Sequence, residues 1–316
     1  MKKLFLMIAG LTVLSGGARA QNAITIGYAT PDLSSSFWVS MTYGVEDEAK
    51  KLGVKLVKLN AGGDANVSTQ ISQIQDLTER KVDAMVVGAT NGEAVRSVVE
   101  HAISKGIPVV GLSSIPASNE LTSTVSANHY DMGRIQAQCL GSAMGGKGEV
   151  GMISQQQGQS WADQRRQGFL DTLKASYPGI KVVAESRNAV TRNDAINLVD
   201  NWVQRFPDLT GIYNAVDDSA AGAMIAVKGA QRQGTVKISA SNLSDTAQQM
   251  LKSGDLVCTS AQRIVTQGRE ALDQAVAAAQ KKPTTREIRT PSIMITGGNL
   301  GKIDLSALTA PASYRP

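Results

Sequence analysis

Along the chain, short uninterrupted apolar runs alternate with longer stretches in which apolar residues recur every three or four positions. The first run, Ile24 to Thr30, is rich in β-formers and is stopped by Pro31 to Ser36; Phe37, Met41, Gly44, Val45, Ala49 and Leu52 then recur at helical spacing before GVKLV. Runs without alternation are strands buried on both faces, and the helices between them supply the cover, which predicts parallel sheets of the α/β class. Further strands are predicted over AMVVGAT from Ala84, PVVGLSS from Pro108, VGMIS from Val150, IKVVAES, GIYNAV, KISAS, GDLVCTSAQ and SIMIT near residue 294. The plan runs twice. Gly44-Val45 leading into GVKLV corresponds to Gly168-Phe169 leading into GIKVV, an offset of about 125 residues, which points to two similar Rossmann-like lobes. The tail after Gln262 is too short to bury a core of its own, so its helix and strand must complete sheets already begun. The chain then passes between the lobes several times, and several short connections make a hinge.

In an open parallel sheet, ligands sit beyond the carboxyl ends of the strands, so the polar joints DLSSSFW and QQQGQSWADQ lie on the functional edge. Asp32 and Ser34 to Ser36 offer helix caps. Phe37 and Trp38 are a different matter: neighbours on a helix point about 100° apart, so both cannot face the core and one must face a cleft. Trp161 occupies the matching joint of the second lobe, and Trp38 with Trp161 would sandwich the apolar face of a sugar, or a cation. Trp202 is in phase with Leu198, Val199, Val203 and Phe206 and belongs to the core. Of Asp217-Asp218, one caps the following helix and the other faces the cleft as an acceptor for a hydroxylated or amine ligand. Gly145-Gly146-Lys147-Gly148 joins a helix to a strand, the wrong order for a phosphate loop, and reads as a turn. His101 reads as exposed, and His129 as a candidate for a ligand or hinge role.

Lys2 and Lys3, the apolar run Leu4 to Leu14 and Ala18-Arg19-Ala20 form the three parts of a secretory leader, residues 1–20, with cleavage before Gln21. Its removal takes away Lys2, Lys3 and Arg19, so the formal charge of +5 is largely the leader's and leaves no nucleic-acid footprint. Two cysteines and two histidines far apart in sequence show no metal-site spacing, and no Ser/His/Asp or Cys/His set supports catalysis. The expectation is a non-enzymatic protein without metal or cofactor. Export would permit Cys139 and Cys258 to pair, but the reading sets them on different lobes, so free thiols are expected.

With these elements in place, SFWVSMTYGVEDEAKKLG, DLTERKVDAMVV, KGIPVVGLSS, SWADQRRQGF, FPDLTGIYNAVDD and KSGDLVCTSAQ resemble the ribose- and galactose-type (type I) periplasmic solute-binding proteins of ABC importers, over nearly the whole chain after the leader. The resemblance extends to the fold of LacI-type regulators, although no helix-turn-helix precedes the first strand. It implies an N-terminal lobe of residues 21–127 and 263–291, a C-terminal lobe of 128–262 and 292–316, and a three-strand hinge between them. Phe37, Trp38 and Gln262 match the family's ligand contacts. Ser113-Ser114 stands where those members carry Asp-Arg, the sugar-binding Arg falls near Asp163 with Arg165 close by, and Asn242 replaces an Asp. These departures imply a sugar or polyol other than ribose or galactose. A local likeness through FWVSMTYG, NAGGD and the terminal YRP is to periplasmic sensor proteins for trimethylamine N-oxide that work with a membrane histidine kinase. The candidate contacts are thus Asp32, Phe37, Trp38, Ser113, Trp161, Asp163, Arg165, Asp217, Asn242 and Gln262. The implied partner is an ABC permease or a histidine kinase, with the protein a monomer in the periplasm.

Overall fold

The structure, a computed structural model, describes residues 23–157, 159–189 and 191–316; the leader at 1–20 and the cleavage point before Gln21 lie outside them. In chain order the first half forms β1 (Thr25–Thr30), α1 (Ser36–Leu52), β2 (Lys55–Asn60), α2 (Val67–Glu79), β3 (Ala84–Val87), α3 (Arg96–Ser104), β4 (Val109–Leu112) and β5 (Ser123–Ala127). There follow α4 (His129–Ala143), β6 (Lys147–Ile153), α5 (Ser160–Ser176), β7 (Gly179–Ser186), α6 (Arg192–Arg205), β8 (Leu209–Asn214), α7 (Asp217–Gly229), β9 (Lys237–Ser241), α8 (Asp245–Ser253) and β10 (Cys258–Ala261). The tail adds α9 (Ile264–Ala279), β11 (Glu287–Thr290) and β12 (Ile293–Ile295).

Two six-stranded sheets result, in the orders β11-β5-β4-β3-β1-β2 and β12-β10-β9-β8-β6-β7. The orders are the same pattern repeated, as the internal duplication requires. Pairing is parallel throughout except at one edge, where β12 runs antiparallel to β10. Each sheet is covered on both faces. In the first, Ile26, Tyr28, Val86 and Val110 pack with α1 and α9, while Ala29, Met85, Val87 and Val109 pack with α2 and α3. The second is covered by α4 with α5 and by α6 with α7 and α8, and Trp202 lies in that latter core. The edge strand β11 and its neighbour β5, not expected from sequence, are polar and only partly buried (EIRT, STVSA), so they show no apolar run.

The chain crosses between the sheets three times, at 127–129, 261–264 and 290–293. After the first crossing α4 packs on the second sheet, and after the second crossing α9 returns to the first. Cys139 on α4 therefore stands beside Cys258 on β10 with Cα atoms 6.5 Å apart, and the two form a disulfide. The expectation of free thiols fails because the two cysteines share a lobe. The bond closes a separation of 119 residues, a loop length worth about 4–5 kcal/mol in the chain-entropy account. The tail serves both lobes. Leu300 and Leu308 lie in the second lobe's core, whereas the Ala310 amide donates to Ser40 Oγ (3.0 Å) and Tyr314 hydroxyl to Glu46 (2.7 Å), both on α1.

Two helix crossings depend on glycine. α1 meets α9 at Gly44 and Gly268, where an added Cβ would overlap the carbonyl oxygens of Val265 and Met41; α5 meets α4 at Gly168 and Gly133, against those of Tyr130 and Arg165. The obstacle is backbone in every case, so the helices would have to part. Gly168→Ala is expected to destabilise the protein by about 1–3 kcal/mol, as overpacking does. Gly229→Ala, whose Cβ would meet nothing within 4 Å, should be neutral; denaturant unfolding of both variants measures the contrast.

Candidate functional site

The carboxyl ends of β1 to β5 in one sheet and of β6 to β10 in the other deliver their joints to one cavity of about 590 Å³. On the first-lobe wall, Asp32 accepts from the Ser34 amide and hydroxyl (both 2.8 Å) and the Ser35 amide (3.1 Å), which shapes the joint. Ser35 caps α1 by accepting from the Trp38 amide (3.3 Å). Phe37 and Trp38 both line the cavity, in edge-to-face contact at 5.2 Å. They divide as helix geometry demands: Trp38 is only 7% exposed, sunk into the first lobe's core against Gly88, and half-buried Phe37 is the more accessible ring.

On the opposite wall, Arg165 is 2% exposed. Its Nη1 donates to the Ala215 carbonyl (2.6 Å), its Nε to His129 Nδ1 (3.3 Å), and its guanidinium lies 4.8 Å from the centre of the Trp161 ring. Burial pushes its pKa down to about 10, with Tyr213 and Asp217 acting the other way, so it stays charged at neutral pH. Asp217 accepts from the Ser244 amide (2.7 Å); burial raises its pKa and the Ser244 bonds hold the rise back. Asp218 is exposed and paired with Arg192 (2.7 Å) at the cavity wall. Neither aspartate caps α7, whose N-cap is Val216 without a side-chain bond. Asn242 and Gln262 are joined, Gln262 Nε2 donating to Asn242 Oδ1 (2.8 Å).

Nine of the ten residues singled out from sequence line this cavity, and Asp163 does not. Two helical steps separate Asp163 from Arg165, about 200° of rotation, so when Arg165 turns inward Asp163 turns outward, where it pairs with Arg187. The cavity also takes in His129, Thr90, Gln155 and Arg192, which sequence reasoning left aside or ranked low. A backbone signal marks part of the site. Ser113, Gln155 and Asn242, each just past the end of a strand and each lining the cavity, are non-glycine residues with φ of 61°, 63° and 73°. Such conformations cost of order 1–3 kcal/mol and gather at functional sites, but no residue type announces them in a sequence.

The comparisons with known proteins bear on the family and the fold. Residues 26–283 match the model of the periplasmic binding protein domain family. The chain is 30% identical over 289 residues to a xylitol-binding protein of Mycolicibacterium smegmatis, covering 90% of this chain and 80% of that protein. It is 29% identical over 257 residues to a ribose import binding protein of Haemophilus influenzae, covering 81% and 85%. Among solved structures, it is similar to a carbohydrate transporter solute-binding protein of Agrobacterium radiobacter in complex with D-arabinose, with TM-score 0.85, 26% identity, and coverage of 92% of this chain and 100% of that one.

His129 makes the stability of the fold sensitive to pH. Burial, then the nearby Arg165 and Arg289, hold its pKa well below the ordinary value, so it is neutral when folded. The unfolded chain takes up that proton near pH 6.5. Below that pH the unfolded state binds more protons, so stability is full above about 6.5 and falls as the pH drops toward the lowered folded value. Denaturant unfolding is expected to give lower stability at about pH 5.5 than at about 7.5, with the gap reduced in His129→Gln.

Proposed function

The chain belongs to the periplasmic binding protein family, and from that we propose that it captures a small sugar or polyol between its lobes and hands it to the permease of an ABC importer. It is a binding protein and not an enzyme. The observation that carries the reading of the ligand is the composition of the cavity: aromatic rings from both lobes beside buried charged and amide groups on its walls. A sugar has an apolar C–H face that stacks on an aromatic ring, and hydroxyls that each need a partner when buried. A buried hydroxyl left unpaired costs about 1–3 kcal/mol, and Arg165, Asp217, Asn242 and Gln262 supply the donors and acceptors. Asp32, Phe37, Trp38, Ser113 and Trp161 complete the proposed contacts. Ser113, uncharged where ribose- and galactose-type members carry Asp-Arg, favours a ligand other than those two sugars. A methylated amine and a histidine-kinase partner are the weaker alternative, because the cation-binding ring Trp161 already has the Arg165 guanidinium beside it. The protein acts as an exported, periplasmic monomer, and the lobes close by turning on the three crossings.

A panel of xylitol, D-arabinose, D-allose, ribose, galactose and trimethylamine N-oxide tests this reading by thermal shift. A ligand that binds only the folded protein adds about 2.7 kcal/mol at a hundredfold excess over Kd. One or more of the first three compounds should raise the melting temperature and reduce the radius of gyration in solution scattering. A shift confined to the amine oxide would transfer the assignment to amine sensing or uptake, and a shift without compaction would remove the hinge.

Replacing Phe37 or Trp161 with Ala should weaken binding at least about tenfold, or 1.4 kcal/mol, with little change in the stability of the free protein. Trp38→Ala is expected to cost about 3–5 kcal/mol of stability as well, since it empties a core site. Titration calorimetry and unfolding curves on the same variants separate the two effects; normal binding by both Phe37→Ala and Trp161→Ala would remove the aromatic contacts from the site.

A further inference from the structure

Gln267, in the first turn of α9, is fully buried and does not itself line the cavity. Its Nε2 nevertheless donates two hydrogen bonds, one to Gln262 Oε1 (3.1 Å) and one to Thr290 Oγ1 (3.0 Å). Gln262 belongs to the second crossing and Thr290 to the third. Thr290 continues the chain of bonds to the first crossing, where its hydroxyl donates to the Ser126 carbonyl (3.4 Å) and its own carbonyl accepts from the Asn128 amide (3.3 Å). One side chain thus stands at the junction of all three segments on which the lobes would turn.

The bonds run in one direction along the chain, at the cost of leaving Gln267 Oε1 buried without a partner. A hydroxyl has one proton, and that of Thr290 goes to Ser126, so toward Gln267 it accepts. Gln267 must therefore present its amide nitrogen, and Gln262 answers with its carbonyl oxygen. The nitrogen of Gln262 is then left to face Asn242, whose Oδ1 it occupies at 2.8 Å. What Asn242 and Gln262 retain for the cavity they line is chiefly N–H: three amide protons, two on Asn242 and the second of Gln262, beside one lone pair left on each amide oxygen. We infer that Gln267 is a positioning residue for ligand capture, which makes this pair hydrogen-bond donors toward the ligand and ties them to the hinge through Thr290. The inference rests on the reading of the cavity as a sugar or polyol site. It gives that reading a polarity: this corner recognises an acceptor oxygen, such as a ring or hydroxyl oxygen.

Because Gln267 acts through Gln262, its effect must vanish when Gln262 is absent, whereas a merely structural role would persist. Wild type, Gln267→Leu, Gln262→Leu and the double variant are each titrated by calorimetry with xylitol, D-arabinose and D-allose, with unfolding curves recorded alongside. Gln267→Leu should weaken the tightest of the three by about tenfold and add no further loss in the Gln262→Leu background. Should Gln267→Leu fail to fold, Thr290→Val has the same shape and cuts the same chain. It should weaken binding by about threefold, again only when Gln262 is present. Wild-type affinity in both Gln267→Leu and Thr290→Val, or losses that multiply independently in the double variant, would overturn the inference while leaving the sugar site intact. If none of the three compounds binds the wild-type protein, the reading of the site has failed and the inference falls with it.

Discussion

A parallel sheet is covered on both faces by its own crossover helices, so the edge where its strands end is the one place it can offer polar groups to a ligand. The rest of this structure follows from that constraint applied twice. Each lobe has only one such edge, and neither edge alone encloses a small molecule. Three crossings set the two edges opposite each other, and the cavity between them is lined by the joints of ten strands, β1 to β10, rather than by any continuous motif. The helices that follow the first two crossings, α4 and α9, are the ones that lie closest to α5 and α1, with glycines at both contacts. The packing that anchors each lobe is therefore continuous with the segments that connect it to the other.

Placing charge at that edge is costly, and the site shows how the cost is met. Arg165 is buried but not isolated: a carbonyl, an imidazole nitrogen and an indole ring surround its guanidinium. His129 accepts from Arg165 at Nδ1 because it is neutral, and it is neutral because it is buried beside two guanidinium groups. The arrangement is self-consistent, since a protonated His129 would lose its bond to Arg165 and gain a like charge. Three non-glycine residues in the left-handed region line the same cavity. Polar groups held in this way need no reorganisation when a ligand arrives, which reduces the entropy lost on binding.

Contacts within lobes and contacts between them are of different kinds. The disulfide lies wholly within the second lobe, joining α4 to β10, and so constrains its core without restricting the hinge. Between lobes the links are short segments, the amide chain through Gln267, and the tail from Leu308 to Tyr314 that lies across α1. These are individually weak polar contacts, of the kind that a change of lobe angle can rearrange.

The alternation of apolar runs with helical periodicity was enough to establish the α/β class, the duplication and the functional edge, because burial on both faces leaves a pattern that local sequence cannot hide. Most of the candidate contacts were legible for the same reason: they sit in joints, and the joints are where the pattern breaks. The polar edge strand β11 and its neighbour β5 were not legible, since partly buried strands at the side of a sheet need no apolar run. Nor was the partnership of Cys139 with Cys258, which depends on which sheet α4 joins after the first crossing. Asp163 and Arg165 were indistinguishable in sequence, and only the rotation of α5 about its axis turned one into the cleft and the other out. The division between Phe37 and Trp38, the strained φ of Ser113, Gln155 and Asn242, and the bonds of Gln267 across three distant segments are likewise tertiary. Each is decided by what lies opposite a residue in space, and residues that meet across a cleft or a hinge are separated along the chain by distances that no local pattern spans.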